Sequence, residues 1–195
     1  MSRSPSQLET EIKLRLESAA AARRLLRLRG FTIQERRVLE RNTILDTPEG
    51  VLRKRQSVLR LRQAGVRHTI TFKGPPRVSR HKSREEFETS LTDSSVMSAI
   101  LGEMGYSPVF RYEKYRTVYA RDDEAGSIML DETPIGDFLE LEGSPRWIDQ
   151  TARELGYKRA DYLTASYGRL YLAHRESHRA APEDMVFKRR RVQRS

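Results

Sequence analysis

Apolar and polar residues alternate with a period of two over most of the chain, which is typical of β-strands. The segments with this alternation are 7–16, 35–46, 57–63, 67–73, 84–91, 109–120, 127–133 and 137–142. Ala64-Gly65-Val66 separates two of them, and this short connection predicts a hairpin. The pattern therefore predicts a protein built mainly from strands.

Four other stretches predict helices, either from capping residues at their ends or from apolar residues at helical spacing. Ser18 begins an Ala/Leu/Arg-rich helix that ends at Gly30, and a second helix covers about residues 94–104. Ser144-Pro145 begins a third helix, which ends near Gly156. The residues that recur on one face of the fourth are Leu163, Tyr167, Leu170, Tyr171 and His174. The sequence has no internal repeat and no interior linker, so it predicts one α+β domain over residues 1–173.

Composition excludes several classes of protein. The chain has 195 residues and no cysteine, so disulfides, thiolate zinc sites and cysteine nucleophiles are excluded. No apolar run is long enough to span a bilayer, and the first residues lack the apolar core of a secretory signal. We therefore expect a cytoplasmic protein. None of the four histidines has a second ligand at metal spacing, so no zinc site is predicted.

The formal net charge of +10 favours a polyanionic partner such as a nucleotide, a polyphosphate or a nucleic acid. Residues 174–195 hold seven basic and three acidic residues, so they contribute +4 of this charge. This segment has little to bury, and we predict that it is a basic, mobile C-terminal tail. Weak, nonspecific nucleic-acid binding is expected through it. Monomer and homodimer both stay open.

Each predicted strand has two faces, because successive side chains point to opposite sides of a sheet. In the first strand Leu8 and Ile12 share one face, while Glu9, Glu11 and Lys13 share the other. If the amphipathic helices cover the apolar faces, the charged faces turn inward and line a wet barrel. The residues placed inside are Lys13, Arg60, Arg62, Lys73, Lys114 and Arg116, with Glu9, Glu11, Glu86, Glu88, Asp131, Glu140 and Glu142.

Clusters of like charge inside a protein are tolerated only beside counter-ions. A triphosphate would neutralise the basic cluster, and divalent cations would link its oxygens to the acidic cluster. Mg²⁺ and Mn²⁺ bind carboxylate and phosphate oxygens together, while lysine and arginine bind the remaining phosphate oxygens. The lining therefore suits phosphoryl transfer, in which catalysis is mainly positioning and charge stabilisation.

The sequence also resembles a known family in a series of short motifs that follow the family's order. The motifs are Glu9-Thr10-Glu11-Ile12-Lys13 (the ExExK signature), Leu59-Arg60-Leu61-Arg62, Thr71-Phe72-Lys73-Gly74-Pro75, Arg84-Glu85-Glu86-Phe87-Glu88, Tyr112-Glu113-Lys114-Tyr115-Arg116, Leu130-Asp131-Glu132-Thr133-Pro134-Ile135-Gly136 and Phe138-Leu139-Glu140-Leu141-Glu142-Gly143. This is the pattern of the CYTH superfamily, named for the CyaB-type adenylate cyclases and thiamine triphosphatases and also called triphosphate tunnel metalloenzymes. The resemblance covers residues 8–172 and leaves out the basic tail.

The resemblance implies an eight-stranded antiparallel β-barrel tunnel with a charged lumen and helices packed outside. It implies Mg²⁺ or Mn²⁺ as cofactor, held by Glu9, Glu11 and Glu140, with Asp131, Glu88 and Glu142 as further ligands. The implied phosphate-binding residues are Lys13, Arg60, Arg62, Lys73, Lys114 and Arg116. Arg84 is either another phosphate ligand or a salt-bridge partner of Glu86. Glu9, Glu11, Lys13 and Lys73 are the residues that we expect to be catalytic.

Three functions are compatible with this lining. The favoured one is a metal-dependent hydrolase of inorganic or organic triphosphates, and the second is a class IV type adenylate cyclase that uses the same tunnel. The third is a non-enzymatic protein that binds RNA or polyphosphate, but a binder of polyanions gains nothing from acids that face the phosphates. A Walker loop and a serine–histidine–aspartate triad both lack a supporting motif.

Overall fold

The computed structural model describes residues 7–77, 80–122 and 124–188. Eight antiparallel strands close into a barrel in the order β1-β5-β4-β3-β2-β6-β7-β8, with β8 pairing back onto β1. The strands are β1 (Gln7–Arg15), β2 (Thr32–Asp46), β3 (Val58–Ala64), β4 (Arg67–Lys73), β5 (Lys82–Leu91), β6 (Ser107–Ala120), β7 (Ser127–Thr133) and β8 (Gly136–Glu142). The predicted strands and the barrel are thus confirmed, although β2, β5 and β6 begin two to three residues earlier than expected.

Five helices accompany the barrel: α1 (Ala19–Leu28), α2 (Val51–Lys54), α3 (Ser94–Glu103), α4 (Pro145–Glu154) and α5 (Tyr167–Ser177). The hydroxyls of Ser18 and Ser144 cap α1 and α4 as predicted, since each accepts a hydrogen bond from a backbone N–H in the first turn. Among the described residues, no helix is both long and apolar enough to cross a bilayer.

The short helix α2 was not predicted, because four residues are too few to show a helical period. Its anchor is Asp46, whose carboxylate accepts hydrogen bonds from the backbone N–H groups of Thr47, Leu52 and Arg53 at 2.8–2.9 Å. Gly50 precedes α2 with a φ of +68°, a left-handed conformation that glycine adopts without strain. Asp46 therefore caps the turn at the end of β2.

The outer faces of the strands carry the apolar residues and pack under the helices. One cluster lies between α1, α4 and strands β1, β7 and β8; its members with no exposed surface are Ile12, Leu14, Leu26, Ile128, Leu130, Leu139, Leu141, Ile148 and Ala152. A second cluster lies under α2 and α3 and includes Leu45, Leu52, Leu59, Leu61 and Leu101. Because apolar side chains take the outside of the sheet, the alternate charged residues face the lumen.

Aromatic side chains fill one end of the barrel, where α5 packs against β6. Tyr167, the first residue of α5, lies edge-on to Phe138, with their ring centroids 5.6 Å apart. Tyr171 lies 5.9 Å from the ring of Phe110, which lines the lumen. We call this group of rings the aromatic plug. Leu163, which was predicted on the same helical face, instead precedes the helix and pairs with Lys13 through the backbone.

The segment predicted as a mobile tail is in part bound to the barrel. Helix α5 continues to Ser177, and residues 182–187, here called the C-terminal strap, pack beside β6. In the strap, Met185 donates a backbone hydrogen bond to the carbonyl of Arg111 at 3.0 Å and accepts one from Glu113 at 2.8 Å. Residues 174–188 thus contain the end of α5 and a packed strap that the sequence did not predict, whereas the mobility of the segment stays a prediction. Residues 189–195 of the predicted tail lie outside the described residues.

Met185 is fully buried against the aromatic plug, next to Tyr112 and Tyr171. Replacing Met185 by alanine is expected to lower the free energy of unfolding by about 2–4 kcal/mol, because a cavity replaces the thioether. Urea unfolding followed by circular dichroism measures this change. The control is Leu172→Ala on the neighbouring helix, since Leu172 is 60% exposed and should change stability little. Equal stability of the two variants would show that the strap is not anchored.

Candidate active site in the barrel lumen

The lumen holds a cavity of about 680 Å³. Eight basic and six acidic side chains line it: Lys13, Arg60, Arg62, Lys73, Lys82, Arg84, Lys114 and Arg116, with Glu9, Glu11, Glu86, Glu88, Glu140 and Glu142. Every site residue predicted from the sequence is among them except Asp131. The basic excess makes the cavity a binding place for an anion with several negative charges.

Neighbouring strands place opposite charges side by side. Glu9 is paired with Arg84 across β1 and β5, and Lys13 is paired with Glu140 across β1 and β8. Residues paired in a ladder point to the same side of the sheet, so a charged position on one strand meets a charged position on the next. The register therefore turns the alternation of each strand into a continuous charged wall.

Glu11 and Lys13 form the most deeply buried ion pair of the predicted catalytic residues. The Nζ of Lys13 lies 3.1 Å from the carboxylate of Glu11 and 2.9 Å from that of Glu140. Burial by itself would raise the pKa of Glu11, but the ammonium of Lys13 outweighs it and lowers the pKa to about 2. Lys82 adds a second ammonium on Glu11. Glu11 is therefore ionised at any physiological pH.

Lys73 and Glu9 meet beside a third group, Glu86. The Nζ of Lys73 lies 2.7 Å from a carboxylate oxygen of each glutamate. Burial and a hydrogen bond shared with Glu9 raise the pKa of Glu86 to about 7. The same hydrogen bond and the charge of Lys73 lower the pKa of Glu9, although its burial acts in the opposite direction. Of this carboxylate pair, Glu9 carries the negative charge.

Glu142 lies near the acidic side of the cavity with no cation of its own. In the part of the chain that the structure describes, it forms neither an ion pair nor a side-chain hydrogen bond. Burial and the negative charges of Glu9, Glu140 and Glu11 raise its pKa to about 7. Among the described residues, Glu142 is therefore the acid of the cavity that no cation pairs with.

Asp131 is the one predicted ligand that the structure places outside the cavity. It is fully buried, and its carboxylate accepts hydrogen bonds from Lys114 at 2.9 Å and from Tyr167 at 2.6 Å. Arg116 binds both of its oxygens, at 2.7 and 2.6 Å. Its oxygens are thus occupied by donors from two lumen cations and the aromatic plug, which leaves it a positioning residue for Lys114 and Arg116.

The arginines of the lumen differ in how firmly they are held. Arg60 bonds to the hydroxyl of Thr71 at 3.0 Å and lies 3.4 Å from Glu88. Arg84 forms no ion pair with any described residue, and its buried Nε has no hydrogen-bond partner. The alternative in which Arg84 is bound to Glu86 is therefore not the arrangement seen. Since no described carboxylate forms an ion pair with Arg84, its guanidinium can bind an anion in the cavity that it lines.

Two charged residues of the inner faces were not predicted: Lys82, which lines the cavity, and Glu40, which is buried beside Arg62 and Lys114. Glu40 is buried, with carboxylate oxygens 3.5 Å from both Arg62 and Lys114, and these cations lower its pKa to about 2. It lies on the same face as Asn42, so dividing β2 into two faces would have found it. Lys82 was missed because the predicted β5 began at Arg84, two residues too late.

The acids of the lumen can be tested for their fit to a metal ion. No three acidic or histidine side chains of the described residues converge into a preformed site. All the candidate ligands are carboxylates, the donors preferred by Mg²⁺ and Mn²⁺, and Glu142 lies among them without a cation. Mg²⁺ commonly takes one or two carboxylates together with substrate phosphates and water, so a closed cage is not needed. The donor set therefore fits a divalent cation that binds together with a phosphate ligand.

Comparisons with known proteins agree with this geometry. The family model for the CYTH domain matches residues 7–167. A protein of Methanocaldococcus jannaschii named "Putative adenylate cyclase" is 29% identical over 137 residues, which cover 70% of this chain and 77% of that protein.

Solved structures share the fold at low identity. A protein from Pyrococcus horikoshii has a TM-score of 0.74 at 23% identity, covering 86% of this chain and 99% of the other. A protein from Hippeastrum has a TM-score of 0.63 at 21% identity, covering 85% of this chain and 96% of the other. It is described as a "putative adenylyl cyclase" that "reveals a dominant" triphosphatase activity. The barrel, its charged lumen and the match over most of the chain lead to one conclusion: the chain belongs to the CYTH domain family.

Proposed function

We propose that this protein is a metal-dependent triphosphatase that cleaves the terminal phosphoanhydride of inorganic or organic triphosphates. The observation that carries the proposal is the lumen, in which eight basic side chains and six carboxylates line one cavity. The basic residues alone would suit any polyanion. The carboxylates point to a reaction that also needs a divalent cation, because they would otherwise repel the phosphates.

In this proposal the chain's own residues bind and orient the substrate. Arg60, Lys73, Lys114 and Arg116 bind phosphate oxygens, and Arg84, which no described carboxylate pairs with, adds its guanidinium. Asp131 and Tyr167 hold Lys114 and Arg116 in place, since their hydrogen bonds fix the two cations from behind. Fixed donors are effective in catalysis because they need no reorganisation as negative charge shifts in the transition state.

The carboxylates Glu9, Glu11 and Glu140 would hold Mg²⁺ or Mn²⁺, with Glu142 and Glu88 as further ligands. The ion, when bound, supplies a Lewis acid that stabilises charge on the transferring phosphoryl group. Water attacks the terminal phosphorus, the bond from that phosphorus to the bridging oxygen breaks, and the remaining diphosphate leaves with the electron pair. The proposal thus requires only the basic side chains that bind the phosphates and the carboxylates that would hold the metal ion.

A second candidate is the cyclisation of ATP to cyclic AMP and pyrophosphate. It is favoured by the name of the M. jannaschii relative, whereas the activity ascribed to the Hippeastrum protein favours the triphosphatase. A cyclase must also hold adenine and direct the ribose 3′-hydroxyl at the α-phosphorus. The aromatic residues nearest the cavity pack against one another in the plug, which supports the reaction that needs no purine site.

A substrate panel with resolved products tests the choice. With Mg²⁺ or Mn²⁺, inorganic triphosphate is expected to give phosphate and pyrophosphate, and ATP is expected to give little or no cyclic AMP. Products are separated by ion-exchange chromatography, with a reaction in excess chelator as the control. Conversion of ATP to cyclic AMP and pyrophosphate, with inorganic triphosphate left intact, would show that the cyclase is the correct function.

A further inference from the structure

A second concave surface lies on the outside of the barrel, between α1 and the first part of β2. It encloses about 590 Å³. Phe31, Thr117 and Tyr119 are among the residues that line it, and Phe31 and Tyr119 are nearly buried. Four arginines complete the lining: Arg23, Arg27, Arg36 and Arg37. We call this surface the exterior groove.

The exterior groove lies in a strongly basic part of the described chain. Residues 23–37 contain six arginines and one glutamate, whereas most basic side chains of the lumen form ion pairs. Arg23 and Arg37 share one carboxylate, that of Glu132. Arg27 and Arg36 form no ion pair with any residue that the structure describes. The groove therefore keeps positive charge that the protein does not neutralise.

Irregular pairing of β2 brings two consecutive arginines to the groove. The register between β2 and β6 shifts between Glu35 and Val38. In a regular strand Arg36 and Arg37 would point to opposite faces, but both line the groove. Bulges of this kind re-aim side chains and are common at binding sites. The strand is thus shaped to present both guanidinium groups on one side.

The edge of the groove meets the end of the C-terminal strap. The guanidinium of Arg37 lies 3.5 Å from the centre of the Tyr115 ring, and the ring of Phe187 lies 5.1 Å from the same Tyr115 ring. Lys188 follows directly, and the sequence from Lys188 to Ser195 holds five basic residues and no acidic one. The strap therefore ends at the border of the groove, at the point where the most basic stretch of the sequence begins.

From these observations we propose that the exterior groove binds single-stranded nucleic acid. Guanidinium groups bind phosphates through two parallel hydrogen bonds and also stack on planar bases, which favours this ligand for a surface lined by four arginines. A groove of this volume is too small to receive a duplex. The inference does not depend on the function of the lumen.

Binding of a fluorescent 20-nucleotide oligouridine with a 5′-hydroxyl tests the inference, because this RNA has no triphosphate to enter the lumen. Anisotropy is measured with the full chain at several salt concentrations. The double substitution Arg27→Glu/Arg36→Glu is expected to weaken binding by about tenfold or more. The slope of log K against log salt should become shallower by roughly 1.4, as two phosphate contacts are lost.

The matched control is Lys54→Glu/Arg55→Glu, which makes the same change in net charge at exposed positions in and next to α2, outside the groove. It should bind nearly as the wild type does, and all the proteins should keep the same circular dichroism spectrum. If the reversal variant does not fold, Arg27→Gln/Arg36→Gln takes its place. Turnover of inorganic triphosphate should be the same in the wild type and the groove variants.

Several outcomes would overturn the inference. The first is the absence of salt-dependent RNA binding by the wild type. The second is a groove variant that binds the RNA as tightly as the wild type does. The third is a control variant that loses as much affinity as the groove variant. A competition with poly-L-glutamate separates nucleic acid from an acidic protein partner. The two competitors are compared at the same concentration of negative charge. If poly-L-glutamate displaces the labelled RNA as effectively as unlabelled oligouridine does, the groove is not a nucleic-acid site.

Discussion

Replacing Glu9 by glutamine is expected to lower the turnover of inorganic triphosphate by about a hundredfold or more while the barrel stays folded. Glu9 is the charged member of the pair with Glu86, and it faces the cavity beside Lys73. Glutamine keeps the shape and the hydrogen bonding but removes the negative charge that a divalent cation requires. The measurement is kcat/KM at saturating Mg²⁺ or Mn²⁺, with a thermal melt of the same sample.

Glu9 is a cleaner test than Glu11. Glu11 is bound to two buried ammonium groups, so its neutralisation would also destabilise the fold. The control is Glu35→Gln, which neutralises an acid in an exposed ion pair with Arg67 and should leave turnover unchanged. Wild-type turnover that persists in excess chelator, or a Glu9→Gln enzyme of normal activity, would contradict the metal mechanism.

Replacing Lys73 by alanine should reduce kcat/KM for inorganic triphosphate by roughly ten- to a hundredfold, the loss of a hydrogen bond from a charged donor. Lys73 is nearly buried and lies 2.7 Å from both Glu9 and Glu86, at the boundary between the acidic and basic parts of the lumen. From this position it can bind a phosphate oxygen next to the metal-binding carboxylates. Initial rates over a range of substrate concentrations separate the change in KM from the change in kcat.

Lys73→Arg is the matched variant, because it keeps the charge and should recover part of the activity. Arg67→Ala, at the opposite end of β4, removes an exposed cation and should have little effect. A Lys73→Ala protein with normal kcat/KM and an unchanged melt would exclude Lys73 from the site. The same loss in Arg67→Ala would indicate a general effect of charge on substrate approach.

The sequence predicted the lumen well because strand alternation is a local property. Glu9, Lys73 and Glu140 could each be assigned to a face from their neighbours alone, and the closed barrel then brought those faces together. Alternation also assigned Asp131 to the inner face, but its carboxylate is fully buried among its hydrogen-bond donors and does not line the cavity. Alternation shows the side of a strand but not the depth at which a residue is buried. The partner of Asp131, Tyr167, comes from a helix far along the chain, and no periodicity reports that contact.

The features that escaped prediction depend on single residues. Met185 is the fully buried side chain of the strap, in a stretch too short to show a period, and only the packing around it shows its importance. Lys82 was missed for a different reason: the boundary of a strand is the least certain part of a sequence prediction. The register shifts of β2 also have no signature in the alternation, although they place both Arg36 and Arg37 on the exterior groove.

The order of strands around the barrel has a consequence for how the chain reaches its native state. The first strand pairs with β5 and with the last strand, β8, so closure must wait until almost the whole barrel has been synthesised. Pairings this distant in sequence are typical of slow folders. Until they form, Lys13 lacks Glu140 and stays hydrated. Before closure the sheet has apolar outer faces and unpaired edge strands, so this late step should be the stage of folding most prone to aggregation.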